Sequence, residues 1–352
     1  VDEDILPAGL LELKTMPDYA RKLSFPVTAA ERGKRLDQVL CTHVEGWSRT
    51  KVQALIKAGR VRLSGRVTKK PGLILMEEGE IEAELALPDS EREESFEREL
   101  TVLYEDEHMV AIDKPAGMLT HGNAVKAGMS AARGGTSVAD LAREKFGALP
   151  SLGGEERAGL VHRLDRETSG VLLLARTEEA LEELKRQFKS REVEKEYVAI
   201  VHGDPRFDSE WIEKRLGRSE KARDRIRVVG DGEGREAVTY YEVRERFTGP
   251  QANDRDSAAL LAVFPKTGRT HQVRVHLSSI GLPLVGETLY LPRRRTPPSL
   301  PEGAPKMERQ ALHAQSLAFA HPITHEPMRV EAPLSADMSA LLEWLRKYVA
   351  GA

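Results

Sequence analysis

Cysteine is nearly absent: the 352-residue chain has one, Cys41. That excludes disulfides within the chain and any cysteine-rich metal site. Long apolar runs are missing too, and none approaches the roughly 20 residues that span a bilayer. The first residues lack the basic, apolar and small-residue succession of a signal peptide. There is no GxGxxG, no P-loop and no HExxH pair. No internal repeat is visible. These absences point away from membrane, secreted, nucleotide-dependent and zinc-dependent proteins. They leave a cytoplasmic chain of one large or two domains with ample core.

Charge is nearly balanced overall, at a formal −3, but unevenly distributed. From Arg32 to Lys70 the local excess is nine positive charges, opposed only by Asp37 and Glu45. From Glu77 to Glu107 the sign reverses. A basic module followed by an acidic connector fits a polyanion-binding unit better than two solvated faces.

In chain order, residues 1–30 lack periodicity and read as a tail. Leu36, Val39 and Leu40 predict a short helix. Ser48 is positioned to cap a second, with Val52, Leu55 and Ile56 inward and Gly59 as its stop. Val61 to Leu63, a Ser64-Gly65 turn and Arg66-Val67 predict a hairpin. This unit, 31–87, is followed by a charged linker, 88–99, and a larger domain, 100–350. There, strands are expected at 100–104, 109–113, 197–201, 237–243, 260–264, 312–319 and 328–332. Helices are expected at 137–146, 178–189, 269–280 and 336–348. The segment 204–259 otherwise reads as irregular, and 291–309 as a loop. Irregular alternation of strands and helices predicts an α+β fold.

The densest chemistry lies in Val161-His162-Arg163-Leu164-Asp165-Arg166-Glu167-Thr168-Ser169-Gly170. Apolar residues flank it, Gly159 to Val161 before and Val171 to Ala175 after, so it reads as a polar turn joining two buried strands. A carboxylate at such a strand end, between two arginines, is placed to meet a ligand. Glu167 suggests a glycosidase-like carboxylate pair with Asp165, but two residues on one turn do not establish facing acids. His271, His276, His313, His321 and His325 do not form a metal-ligand pattern.

His162 to Gly170 resembles the signature of the RluA-type pseudouridine synthases. Lys195-Glu196-Tyr197 to Gly203 and Thr267-Gly268-Arg269-Thr270-His271-Gln272 to Leu277 agree with that family in the expected order. Lys114-Pro115-Ala116-Gly117, Ala311 to Ala314 and His321-Pro322 fit as well. Together these motifs cover residues 100–335. Gly286-Glu287-Thr288-Leu289-Tyr290-Leu291 departs from the pattern, with Glu and Leu where Asp and Gly are usual. The basic unit resembles the S-four-type RNA-binding domain, through Arg35-Leu36-Asp37, Ser48-Arg49, Gly59-Arg60-Val61 and Gly79-Glu80.

The resemblance implies a central, mostly antiparallel mixed sheet flanked by helices, with the small RNA-binding domain before it. It implies isomerisation of uridine in RNA, without cofactor or metal. Asp165 would be the essential carboxylate, Arg269 its ion-pair partner and Tyr197 the residue against the uracil. Lys195 would orient their surroundings. Arg163 would fill the space of a flipped uridine, because the target carbon is inaccessible in stacked RNA. Arg49, Lys51, Lys57 and Arg60 would meet RNA phosphates. The implied partner is ribosomal RNA or a ribosome precursor, acted on by a monomer. Rival readings are a transfer-RNA enzyme, a non-catalytic ribosome-assembly protein and a uracil-releasing hydrolase.

Overall fold

The structure is a computed structural model. It describes residues 22–44, 47, 49–77, 79–85, 99–122, 137–151, 159–219, 225–248, 257–291 and 299–350. The chain divides into two compact units, described over 22–85 and over 99–350.

The first unit is a four-stranded antiparallel sheet with two helices. Its elements are β1 (Lys22–Pro26), α1 (Leu36–His43), α2 (Arg49–Lys57), β2 (Val61–Leu63), β3 (Arg66–Thr68) and β4 (Glu80–Glu84), with strand order β1-β4-β2-β3. The helices follow the predicted spacing, and Leu36, Leu40, Val52, Leu55 and Ile56 form the core with Ile81. The proposed cap Ser48 lies outside the described residues. Ser64 and Gly65 both have positive φ, 49° and 75°, which matches the right-handed twist of β2 and β3. Residues 22–26 are not tail. They pair with β4, burying Phe25 beside Ile81. A five-residue strand with only Leu23 and Phe25 against the core leaves little apolar signal. The linker, apart from Glu99, lies outside the described residues.

Among the described residues, the second unit holds a nine-stranded sheet. Its strands are β5 (Thr101–Glu105), β6 (Met109–Lys114), β7 (Ser169–Ala175), β8 (Glu194–His202), β9 (Ser209–Glu213), β12 (Val238–Phe247), β13 (Ala258–Pro265), β14 (Leu312–Ala320) and β15 (Pro327–Glu331). The order is β5-β6-β7-β14-β8-β13-β12-β9, with β15 beside β14. All neighbours are antiparallel except β7 and β14. At that parallel step Gly170 (φ 110°) lies opposite Ala314, where an added Cβ would be 2.2 Å from the Ala314 carbonyl oxygen. No side chain fits there. β10 (Leu216–Arg218) and β11 (Ile226–Val228) form a separate ribbon. β9 to β11 lie in the segment read as irregular; they are short, with charged residues between the few apolar ones.

Strand alternation distributes the core. Along β8, Tyr197, Ala199 and Val201 face one cluster, while Val198 and Ile200 face another. The first cluster is covered by α5 (Gln272–Ser279), through Val273 and Leu277. The second is covered by α6 (Ala336–Ala350), through Met338, Leu341 and Leu345. α4 (Glu178–Ser190), capped by Thr177, packs Ala180, Leu181 and Leu184 against Val171 and Leu173 of β7. α3 (Val138–Phe146) starts with a Ser137/Asp140 capping box. Helix α5 begins three residues later than the apolar spacing suggests. His271 takes left-handed φ (53°), and Gln272 Oε1 accepts from the Arg269 N–H at 3.0 Å, so 269–271 form a turn. Before β7, only Leu160 pairs, as an isolated bridge to Leu174. The lead-in strand expected at 159–161 is therefore absent.

Candidate active site

The loop 161–168 hangs between that bridge and β7, and three side chains from distant elements hold its backbone. Thr120 Oγ1 donates to the Leu164 carbonyl at 2.8 Å and accepts from the Leu164 N–H at 3.2 Å. Lys114, fully buried, donates to the carbonyls of Pro115, Met118 and Arg166 at 2.7, 2.8 and 2.9 Å. Burial pushes its pKa down to about 7, but three carbonyl acceptors require the three donors of the ammonium form. Arg309 Nη1 donates to the Glu167 carbonyl at 3.0 Å, while its other two nitrogens clasp Asp337 at 2.7 and 2.8 Å. The Thr168 N–H closes the turn onto the Asp165 carbonyl at 3.1 Å. The backbone on both sides of Asp165 is thus fixed.

The Asp165 side chain is 17% exposed. Its Oδ2 lies 3.4 Å from Nη1 of Arg274, and its Oδ1 lies 3.8 Å from Nε2 of His271. Arg269 is not its partner. Arg269 Nε donates to the Glu236 carbonyl at 3.0 Å. The ion pair that the resemblance gave to Arg269 is made by Arg274 of the same motif, because the turn at 269–271 engages Arg269 with the Glu236 carbonyl while the helix carries Arg274 to Asp165. Arg274 stands between Val273 and Val275 in a helix whose residues 272–277 are all buried.

Arg274 is held from behind. Its Nε and Nη2 donate to the two oxygens of Glu287, each at 2.8 Å. Glu287 Oε1 also accepts from the N–H of Thr288 and Leu289 at 3.0 and 2.8 Å. Burial disfavours the guanidinium charge, but bonding to Glu287 and the field of Glu287 and Asp165 hold its pKa above the ordinary value. Burial would likewise raise the Glu287 carboxyl, yet Arg274 and the loop N–H groups bring it below. The Arg274 guanidinium also lies 5.1 Å from the Tyr290 ring centre. Tyr290 Oη accepts from the Ile226 N–H at 3.1 Å and shares a 2.5 Å hydrogen bond with His271 Nδ1. Burial lowers the His271 pKa against the pull of Asp165. A neutral ring accepting at Nδ1 turns its Nε2–H toward Asp165.

Asp165, Tyr197, Arg163 and Arg269 all line one cavity of about 550 Å³. Burial, then the Asp165 charge, pushes the Tyr197 phenol pKa well above its ordinary value, so the hydroxyl stays protonated. Arg163 is exposed at the rim. Lys195 donates to the Thr267 carbonyl at 3.2 Å. Among the described residues, Asp165 is the only acid lining the cavity. Glu167 is instead half-exposed beside Arg166, at 3.7 Å. The histidines are otherwise engaged: His276 with Thr239 and the Lys214 carbonyl, His313 with Ser169, His321 with Asp106. His162 lines the cavity with its ring stacked on Phe188. Its Nε2 accepts from the Leu173 N–H at 3.0 Å, and burial lowers its pKa to about 3.

In the first unit, Arg49 and Arg35 both donate to Asp37, whose carboxylate is fully buried and also accepts from Gln53 at 2.6 Å. Arg49 is thus partly neutralised, though 45% exposed. Arg60 pairs with Glu84 at 3.5 Å, and Lys57 is exposed. The Lys51 side chain lies outside the described residues.

The family model described as RNA pseudouridylate synthase matches residues 108–279, spanning Asp165, Tyr197 and Arg274. The one described as S4 domain matches residues 34–81. A ribosomal large subunit pseudouridine synthase D of Xanthomonas campestris pv. campestris is 35% identical over 93% of this chain and 93% of its own length. The chain belongs to the RNA pseudouridine synthases. An uncharacterized RNA pseudouridine synthase of Bacillus subtilis is also 35% identical, over 91% of this chain and 98% of its own. The solved human RNA pseudouridylate synthase domain containing 4 superposes with a TM-score of 0.52 at 26% identity, covering 70% of this chain and 93% of that one. This synthase is therefore an isomerase of RNA uridine with the α+β fold of its family. Among its described residues, no helix is long and apolar enough to cross a membrane.

Proposed function

We propose that this pseudouridine synthase modifies uridines of large-subunit ribosomal RNA, with Asp165 as its catalytic carboxylate. The observation that carries the catalytic part is the ion pair of Asp165 with Arg274 at the wall of the cavity shared with Tyr197. Oδ2 is taken by Arg274, whereas among the described residues Oδ1 has only His271 at 3.8 Å, leaving an oxygen to meet the substrate. The reaction breaks the N1–C1′ bond, turns the base and forms C5–C1′. Asp165 either attacks as a nucleophile or removes the C2′ proton; both routes use that free oxygen. Tyr197 supplies a ring against the uracil and a protonated hydroxyl. Arg163 at the exposed rim is suited to enter the stack that the uridine leaves.

The substrate class rests on relatives of near-equal length named for the large ribosomal subunit, and on the S4 domain they would need for phosphate contacts. Arg49, Lys51, Lys57 and Arg60 contribute to that second contact. Arg269, at the cavity edge, is assigned to RNA rather than to Asp165. A ribosomal substrate supports a cytoplasmic enzyme.

The test is tritium release. Large-subunit ribosomal RNA transcribed with C5-tritiated uridine should lose tritium to water without releasing free uracil. Asp165→Asn should abolish release while sparing RNA affinity. Free uracil, or persistent release by the variant, would overturn the assignment.

A further inference from the structure

Cations crowd one side of the cavity without matching acids. Lys189, Arg191, Lys195 and Lys266 all line it. The ion pairs among the described residues include none of these four. Strand alternation explains the imbalance. On β8, Lys195 shares the face of Tyr197, while Glu196 points to the opposite face, accepting from Arg329 at 2.8 Å and from Ser316 at 3.3 Å. Glu192, next to Arg191, is claimed by Arg186 at 2.6 Å. Arg191 ends α4 in the left-handed conformation, φ 62°, which turns the chain after the helix. Lys266 projects from the Pro265 to Gly268 turn, whose Thr267 carbonyl takes Lys195 Nζ at 3.2 Å.

From this arrangement we infer that Lys195, Arg191 and Lys266 form a subsite for one backbone phosphate of the RNA, beside the nucleotide flipped against Tyr197. The inference rests on Tyr197 being the base platform proposed above. Two residues along a strand separate Lys195 from Tyr197 by about 7 Å. That span suits a base on the tyrosine and a phosphodiester on the lysine. The state of Lys195 agrees: burial, then the charges of Lys266 and Arg191, lower its pKa to about 8. Such a cation gains from a bound anion. The surface-exposed cations of the S4 domain hold RNA anywhere along its length, whereas this subsite would set the register of one nucleotide.

The test uses the full chain, with a fluorescent dodecamer of uridylate as the binding probe. Each single-strand phosphate neutralised adds about 0.7 to the slope of log affinity against log salt. The variant Arg191→Asn/Lys266→Ser should lower that slope by roughly one such increment and weaken binding about tenfold at low salt. Asn is chosen because it tolerates the left-handed backbone. Lys347→Ser, on α6 at the opposite sheet face, should change neither. On the tritiated ribosomal transcript the double variant should raise KM and leave kcat near that of the parent. An unchanged salt slope would overturn the subsite. A parent that releases no tritium would instead sink the functional reading, with the slope still reporting on the subsite.

Discussion

Arg274 lies 3.4 Å from Asp165 although 109 residues of chain separate them. The contact joins the motif loop before β7 to helix α5, and it sets what the neighbouring arginines can do.

Arg274→Lys keeps the charge but loses the planar fork that spans Glu287 and Asp165. We expect kcat to fall by about 10²-fold, the scale of a misplacement near 1 Å. Arg269→Ala should act mainly on KM. Steady-state tritium release separates the two; equal kcat losses would contradict the pairing.

Glu287 governs Arg274 from behind. Glu287→Ala would leave a buried guanidinium without its main partner, at a cost of about 3 kcal/mol or more. Glu287→Gln should lower kcat with less loss of stability. Glu287→Asp retains the charge and should recover most activity. Thermal melts paired with kcat check the order Glu, Asp, Gln, Ala.

Asp37 gives the RNA-binding unit an acid limit. Hydrogen bonds from Arg35, opposed by burial and joined by Gln53 and Arg49, hold its pKa well below the usual carboxylate range. A depressed carboxyl stabilises the fold above its unfolded pKa, near 4, and that contribution is lost as pH falls through the folded value. The first unit should therefore loosen below about pH 4, and Asp37→Asn should flatten this limb. Urea titrations between pH 2 and 7 would show it; an unchanged limb would refute the assignment.

Tyr197 stays protonated because burial and the Asp165 charge oppose its ionisation. At saturating RNA, kcat should not fall between pH 8 and about 10, where an unperturbed phenol begins to ionise, whereas loss of the Lys195 charge acts through KM. Tyr197→Phe should preserve that alkaline profile and RNA affinity, whereas Tyr197→Ala should remove the platform and most turnover. A phenol-like alkaline decline lost in Tyr197→Phe would contradict a protonated hydroxyl.

Much of this arrangement was legible from periodicity. Thr177 as a cap, the apolar face of α4 and the two faces of β8 all follow local rules that leave a trace in sequence. What escaped was short or long-range. β1 and β9 to β11 are too brief and too charged to signal themselves. The partner of Asp165 depended on which residue the turn before α5 sends inward, and His271 in left-handed backbone gives no sequence sign of that. The roles of Lys114, Thr120 and Arg309 could not be read at all. Each acts by donating to loop carbonyls 44 to 142 residues away, and a carbonyl has no identity in sequence.

The clasp between Arg309 and Asp337 carries a consequence for synthesis of the enzyme. Arg309 holds the Glu167 carbonyl, but its own orientation is fixed by a residue in the first turn of α6. The parallel partner of β7 likewise arrives 144 residues after it. A nascent chain has therefore made Asp165, Tyr197 and Arg274 well before it can fix the loop that aims the carboxylate. The described strands and helices of the S4 unit, Lys22 to Glu84, are made earlier still. The segment matched by the S4 domain model is thus synthesised well before helix α6, on which the loop around Asp165 depends.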